Sequence, residues 1–381
     1  MKKKLLLFIM LTCPLLAVAQ YSDKEEEAVV EINATNFPDE TFRNFLLSQS
    51  FGSDGQLTTS EIENIWSLSL PSSYSSAAAI SSLKGIEYFT ALTSLSCYNN
   101  QLTTLDISKN TALTELWCDN NPLTTLDISE NTALTSLYCN NNQLTTLDIS
   151  KNTALTRLSC GENQLTALDV SKNTALTRLT CGENQLTTLD VSENTALTSL
   201  YCGGNQLTAL DVSKNTALER LACGANQLTA LDLSENAALT WLSCYDNHLT
   251  ALDVSENTLL TCLIFYQNQI KGTAMDNLIN SLCYDPYHAP TFRVFSTYAD
   301  EGNVCTASQV AAVKAKGWIP QYFDAENIKW EFYDGNDPSG IHGVLKDEYD
   351  TNDPVYNLSG QRLTALKKGI NIIGGKKVVV K

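Results

Sequence analysis

The chain has 381 residues, 25 of them basic and 42 acidic, for a formal net charge of −17. That acidic excess argues against nucleic acid and anionic membrane surfaces as partners. The three histidines, His248, His288 and His342, are scattered. No serine-hydrolase, zinc-protease, P-loop or dinucleotide signature occurs, so an enzyme is not expected.

Lys2-Lys3-Lys4, an apolar run from Leu5 to Leu16 and the small residues Ala17-Val18-Ala19 read as a secretory signal. Residues 1–19 are thus predicted to direct export through the Sec pathway, leaving Gln20 first and a mature chain with 22 basic residues and a net charge of −20. No later stretch is long and apolar enough to span a bilayer. Residues 20–91 read as an N-terminal cap. Ser22 to Val30 is an acidic leader, and Pro38-Asp39-Glu40 opens a helix to about Ser48 with Phe42, Phe45 and Leu46 as its apolar stripe. The segment Ser50 to Glu61 resembles an EF-hand loop, with Gly55 at the sharp turn, Leu57 two residues on and Glu61 at the bidentate position. It departs from that pattern at Ser50, where aspartate is expected, and at Gly52, which has no side-chain ligand. Asp54 and Glu61 are therefore a weak calcium candidate, weighed against a purely structural helix-loop-helix; no other cofactor is expected. Ile62 to Leu70 continues as helix or strand, 71–82 as a loop, and Leu83 to Ala91 as a degenerate first rung.

From Leu92 a 21-residue unit takes over, as in LTSLYCNNNQLTTLDISKNTA from Leu134. It starts at Leu92, Leu113, Leu134, Leu155, Leu176, Leu197, Leu218, Leu239 and Leu260 without insertion or deletion. A fixed period means a solenoid, because one unit cannot bury its apolar side alone. Leu95 and Cys97 alternate with Ser94, Ser96 and Tyr98, so each unit carries a short strand with one buried face, and successive strands run parallel. Nine turns at roughly 4.8 Å give a sheet on the order of 40 Å long. The column Asn100, Asn121, Asn142, Asn163, Asn184, Asn205, Asn226, Asn247 and Asn268 sits where the chain leaves the strand, placed to satisfy turn backbone.

The pattern L-x-x-L-x-C-x-x-N-x-L, nested with Leu102-x-x-Leu105-x-Ile107-x-x-Asn110-x-x-Leu113, resembles the 21-residue bacterial leucine-rich repeat. The resemblance implies a right-handed leucine-rich-repeat solenoid with a parallel β-sheet on its concave face over residues 92–271, a helical N-cap and an α/β C-cap. It also implies protein recognition at a bacterial surface.

The cysteine column (Cys97, Cys118, Cys139, Cys160, Cys181, Cys202, Cys223, Cys244) reads as core. Parallel side chains one rung apart keep their β-carbons about 4.8 Å apart, beyond the roughly 3.5–4.5 Å of a disulfide. Cys283 and Cys305 are candidates to pair, and Cys262 reads as a free thiol. Residues 272–333 read as the C-cap: a helix over Ala274–Cys283, a strand over Thr291–Ser296, a helix over Ser308–Lys316 and strands over Ile319–Phe323 and Ile328–Tyr333. Residues 334–353, rich in Gly, Asp, Asn and Pro, form a linker. Residues 354–381, with turns at Ser359-Gly360 and Gly374-Gly375, read as a small terminal β-hairpin. This tail resembles the C-terminal sorting domain of type IX secretion cargo, which implies release to, or display on, the outer cell surface.

Function is expected on the outward columns of the sheet. Trp117, Tyr138, Tyr201, Trp241 and Tyr245 gather toward its two ends, while Arg157, Arg178 and Arg220 lie between them. Trp, Tyr and Arg anchor interfaces, so a protein ligand through the concave sheet is the primary reading, with a glycan as the alternative that exposed aromatics allow. Two further readings stay open. One is a structural surface or envelope role without a specific ligand. The other is an ordered-surface binder through the column Thr103, Thr124, Thr145, Thr166, Thr187 and Thr208. The parallel column Asp106, Asp127, Asp148, Asp169, Asp190, Asp211, Asp232 and Asp253 carries about 1 kcal/mol of repulsion per neighbouring pair before screening. Either a cation ladder or hydrogen bonds within each turn would relieve it.

Overall fold

The computed structural model describes residues 29–72, 79–298 and 301–335, together with the backbone of four short strands between 355 and 380. The predicted export signal, most of the acidic leader and nearly all of the predicted linker lie outside the described residues.

The N-terminal unit begins with β1 (Val29–Glu31), which pairs antiparallel with β2 (Gln56–Thr58) across α1 (Glu40–Ser48). α2 (Thr59–Asn64) follows directly, closed by a capping box in which Thr58 Oγ1 accepts from the Glu61 N–H and the Glu61 carboxylate accepts from the Thr58 N–H. The segment that reads as helix or strand from Ile62 thus splits: helix to Asn64, then strand β3 (Ser67–Ser69). β3 is the first strand of the long sheet, in register with β4 (Ser94–Ser96). The stretch Leu83–Ala91 holds a 3-10 turn at Ile86–Tyr88 in place of a strand. The first rung therefore starts earlier than its degenerate sequence suggests, with 27 residues between Ser67 and Ser94 in place of 21.

β4 is followed by eight copies at the same three positions of each unit, through β12 (Cys262–Ile264), all parallel and in register. Each strand is three residues long; its central leucine, from Leu95 to Leu263, is buried, and so is the residue two on, a cysteine in the first eight strands and Phe265 in the ninth. The sheet then passes without a break into the C-cap. β13 (Thr291–Ser296) and β14 (Ile319–Asp324) add in parallel, and β15 (Lys329–Phe332) closes the edge antiparallel, for 13 strands in all. α3 (Thr273–Ser281) and α4 (Ala307–Ala315) supply the return paths. In the tail, β16 (Val355–Tyr356), β17 (Arg362–Leu363), β18 (Gly369–Ile373) and β19 (Lys376–Val380) make a separate antiparallel sheet, with β18 and β19 as the expected hairpin.

Two asparagine ladders hold the turns. In the one anticipated from sequence, Asn184 is typical: its Nδ2 donates to the carbonyls of Cys160, Cys181 and Gly182 at 3.1, 3.1 and 3.2 Å, and its Oδ1 accepts from the Leu165 N–H at 2.9 Å. The amide joins two turns and settles backbone groups that burial would otherwise orphan. The second ladder, from Asn110 to Asn257, donates to carbonyls of the preceding turn, as Asn173 does to Ile149 and Asn152 at 3.1 and 2.9 Å. Its Oδ1 atoms are buried without a hydrogen-bond partner, so it is the less complete of the two.

The C-cap imitates a further turn. Asn303, 35 residues after Asn268, donates to the carbonyls of Phe265 and Val294 and accepts from the Ile270 N–H at 2.9 Å. It is the last member of the first ladder. Glu301 Oε2 accepts from the Gln267 N–H at 2.8 Å, where an inner turn uses the next turn's carbonyl. Burial pushes the Glu301 carboxyl up, against hydrogen bonds from Gln267, Asn303 and Ser296 that pull it down.

Asp39 ties the N-cap to the solenoid. Its Oδ1 caps α1 through the Phe42 N–H, and its Oδ2 accepts from the N–H and hydroxyl of Ser81 and the N–H of Ser82. Burial raises its carboxyl, but these bonds outweigh burial and hold it below the ordinary 3.8. A carboxyl lowered by folding adds stability that is present above 3.8 and fades as pH falls through its folded value. Amide exchange at Phe42, Ser81 and Ser82 is therefore expected to accelerate below pH 3.8 before exchange in the central rungs does. Asp39→Asn should flatten that pH dependence.

Candidate recognition surface

The outward residues of β4 to β12 form the surface on which function was expected, and the structure places the eight candidates unevenly. Trp117 and Tyr138 occupy adjacent strands in register, with rings stacked at 5.5 Å and 2°. Tyr201 and Trp241 meet at 6.4 Å across the small Ala222. Tyr245 stacks on Tyr266 at 5.0 Å and 15°. Arg157 and Arg178 lie between the first two clusters, direct neighbours across β7 (Arg157–Ser159) and β8 (Arg178–Thr180), and Arg220 lies on the strand between those of Tyr201 and Trp241; all three are exposed. The ion pairs of the described residues involve His288, Lys314 and Lys329, none of these arginines. Two serines of the same outward column are buried: Ser136, between Glu115 and Arg157, is 3% exposed, and Ser199, between Arg178 and Arg220, is 5% exposed. Long neighbours close over short ones, so the arginines stand proud of the sheet.

The C-terminal aromatic cluster is larger than the sequence reading placed there. Tyr266 stacks in turn on Phe323 at 6.1 Å, Phe323 packs on Trp330 at 5.1 Å, and Tyr298 lies 6.0 Å from Phe323. The Arg293 guanidinium lies 4.4 Å over the Trp330 ring, a cation–π contact. Phe323, Tyr298 and Trp330 belong to the cap. The signal that would have found Phe323 and Trp330 is the period-two alternation of their strands, once those strands are read as continuing the repeat sheet.

A third feature left no mark in composition. The residue after each third outward position has a positive φ in every turn: Asn99, Asn120, Asn141, Glu162, Glu183, Gly204, Ala225, Asp246 and Gln267, from 48° to 67°. Left-handed backbone at a non-glycine residue costs about 1–3 kcal/mol and persists because the ladders over-determine it.

On the opposite side of the unit the aspartate column settles its charge within each turn. Every Oδ1, from Asp106 to Asp253, accepts from the N–H of the serine two residues on, at 2.9 or 3.0 Å. Hydrogen bonds from those serines hold Asp106, Asp127, Asp148, Asp169, Asp190, Asp211 and Asp232 below the ordinary 3.8. A shallow depression on this side is lined by Thr187, Thr188, Asp190, Thr208, Asp211 and Lys214.

In the EF-hand-like loop, Asp54 Oδ1 accepts from the Gln56 N–H at 3.0 Å, and Glu61 Oε2 accepts from both the N–H and the hydroxyl of Thr58 at 2.9 Å. The two candidate carboxylates are thus engaged in separate local turns. Among the described residues, no three or more His, Cys, Asp or Glu side chains gather as a metal site. The cysteines of the ladder are free and buried, and Cys262, Cys283 and Cys305 are free too, which corrects the expected Cys283–Cys305 pairing. Cys305 is 1% exposed, whereas Cys283 is only half-buried, its Sγ 4.0 Å from the Leu260 carbonyl. Burial pushes the ladder thiols up, Cys97, Cys202 and Cys244 to about 12. Protonated at neutral pH, they offer no thiolate to a metal or an oxidant.

Comparison with known proteins agrees with this architecture. A family model for leucine-rich repeats, in two copies, matches residues 90–131 and 111–152. The functional domain of InlJ from Listeria monocytogenes, a structure that includes a cysteine ladder, is similar at 34% identity and a TM-score of 0.64. The match covers 78% of this chain but 62% of that one, so the present chain spans less than two thirds of its length. Internalin C2 of the same organism shares the fold at 23% identity and a TM-score of 0.51, over 56% of this chain and 97% of that one. No curated protein sequence matches. The fold is a leucine-rich-repeat solenoid.

Proposed function

We propose that this is an exported bacterial leucine-rich-repeat protein that recognises a protein partner, as an adhesin does, through the concave sheet. The observation that carries the reading is the arrangement of Arg157, Arg178 and Arg220. They are exposed, free of ion pairs among the described residues, and flanked by the Trp117/Tyr138 and Tyr201/Trp241 clusters. The guanidinium groups of Arg157 and Arg178, on neighbouring rungs, repel one another, while an acidic patch on a partner would satisfy them bidentately. The likeness to InlJ supports a recognition scaffold in place of an enzyme. Arg157→Ala combined with Arg178→Ala is expected to weaken partner binding about 100-fold and to change stability by less than about 0.5 kcal/mol. Equal affinity in surface plasmon resonance would remove the arginines from the site.

The N-terminal signal and the C-terminal tail support display at the outer surface. Protease shaving of intact producing cells should release the repeat domain from the full-length strain and not from one lacking residues 354–381. Protection in both strains would place the protein inside the envelope.

A further inference from the structure

The third outward column of the sheet changes character partway along. It runs Asp119, Asn140, Gly161, Gly182, Gly203, Gly224, Tyr245 and Tyr266. At the start of this run each side chain serves the next turn. Asp119 Oδ1 accepts from the Asn140 N–H, and Asn140 Oδ1 accepts from the Gly161 N–H, both at 2.9 Å. Then the side chains stop. The N–H groups of Gly182, Gly203 and Gly224 find no acceptor among the described residues. The carbonyls of Gly182 and Gly203 are already taken by the N–H groups of Glu162 and Glu183. The floor therefore offers donors and no free acceptors.

Both ends of this bare stretch are closed. At one end stands the Asn140 amide. At the other the ring of Tyr245 lies on Gly224, where any β-carbon would run into it. Tyr266 covers the far face of that ring and fixes it, leaving the near face toward the glycines. Along the side, the Glu183 carboxylate leans over Gly204, whose left-handed backbone and missing side chain make the room. Burial, then Glu183, then Asp246 push the Tyr245 hydroxyl up. Gly161 to Gly224 spans three rungs, roughly 14 Å.

We propose that this pit, formed by Gly182, Gly203, Glu183, Tyr245 and Asn140, is a subsite for a neutral pyranose of a glycan. A pyranose lays its C–H face on an aromatic ring, its hydroxyls donate to a carboxylate, and its oxygens accept from backbone N–H groups; each hydroxyl does both. An extended peptide fits less well, because its own N–H groups would meet no acceptor on the floor. Glu162, Glu183 and Asp246 border the pit, so sulfated or uronic sugars are repelled. The proposal rests on the concave face being the recognition surface and gives the partner a second feature: it is glycosylated, or it is a glycan.

The test is saturation-transfer NMR and calorimetry on residues 20–381. The probes are neutral oligosaccharides of glucose, galactose, mannose and N-acetylhexosamines, with heparin fragments as the anionic comparison. At least one neutral probe is expected to bind, with transfer from aromatic protons. Glu183→Gln, at an exposed side chain that folding does not need, should weaken binding about tenfold. Tyr245→Ala, which removes the ring face and leaves the glycine floor intact, should weaken it at least as much. Absence of neutral binding, tighter binding of heparin, or indifference to both substitutions would each overturn the subsite. Capture of a protein partner is measured in parallel. A negative sugar panel with intact protein binding removes the subsite alone, while loss of both removes the concave-face reading.

Discussion

Asn184→Ala is expected to destabilise the solenoid by about 4 kcal/mol and to split its unfolding into two steps. The side chain answers four backbone groups of two turns, and only Ala's methyl would remain to face them. Each buried group left unsatisfied costs about 1–3 kcal/mol, with some recovered as the turn relaxes. In a linear array, stability is a sum of turns and interfaces between neighbours, so a break in the middle uncouples the halves. Asn184 lies in the fifth of nine units, with full rungs on both sides. Asn173→Ala is the internal comparison. That residue satisfies two carbonyls, and its own Oδ1 is an orphan whose removal gives something back. Its loss should be about half as large. Urea unfolding followed by circular dichroism reads both; a single transition with less than 1 kcal/mol lost for Asn184→Ala would mean the ladder is dispensable.

Trp117→Ala combined with Trp241→Ala is expected to weaken partner binding about 1,000-fold. An interface anchor of this type is worth about 2 kcal/mol or more when truncated, and about 1.4 kcal/mol is tenfold in affinity. The two positions lie six rungs apart, roughly 29 Å, and belong to different clusters, so their effects should add. The loss of the ring contacts costs about 1 kcal/mol of stability each, too little to unfold an array whose apolar core, from Leu92 to Leu263, they do not enter. Titration calorimetry of the double variant at a temperature well below its Tm separates affinity from folding. A loss below tenfold would shift the weight of recognition to the cap aromatics, Tyr266, Phe323 and Trp330.

What was legible in the sequence was what repeats. Leu95, Cys97 and Asn100 recur at a fixed interval and have one structural solution each: buried strand centre, buried small thiol, amide between turns. What escaped was structural repetition without chemical repetition. The left-handed position is filled by Asn, Glu, Gly, Ala, Asp and Gln in turn, so no residue type marks it. Ser67-Leu68-Ser69 performs as a rung, but it lacks the cysteine and stands 27 residues before its partner, off the beat. Asn303 completes the asparagine ladder from a loop with a different spacing. In the candidate surface, the arginines and the repeat aromatics came directly from the outward columns. The cap's share did not, because nothing in the residues of β13 to β15 says that they add to the same sheet edge. The aspartate column illustrates a choice the sequence leaves open, between cation binding and local hydrogen bonding. The structure shows a serine N–H at each carboxylate, so local bonding relieves part of the repulsion.

The most direct test of concave-face recognition is site-specific photocrosslinking to an extract of cell-surface proteins. A photoreactive side chain is placed either at Thr180, on the sheet between the arginines and the glycine column, or at Ser192, on the opposite side of the unit. The expected result is a crosslinked protein partner from position 180 that disappears in the Trp117→Ala, Trp241→Ala background, with none from position 192. Equal yields from both positions, or crosslinks from position 192 alone, would contradict it.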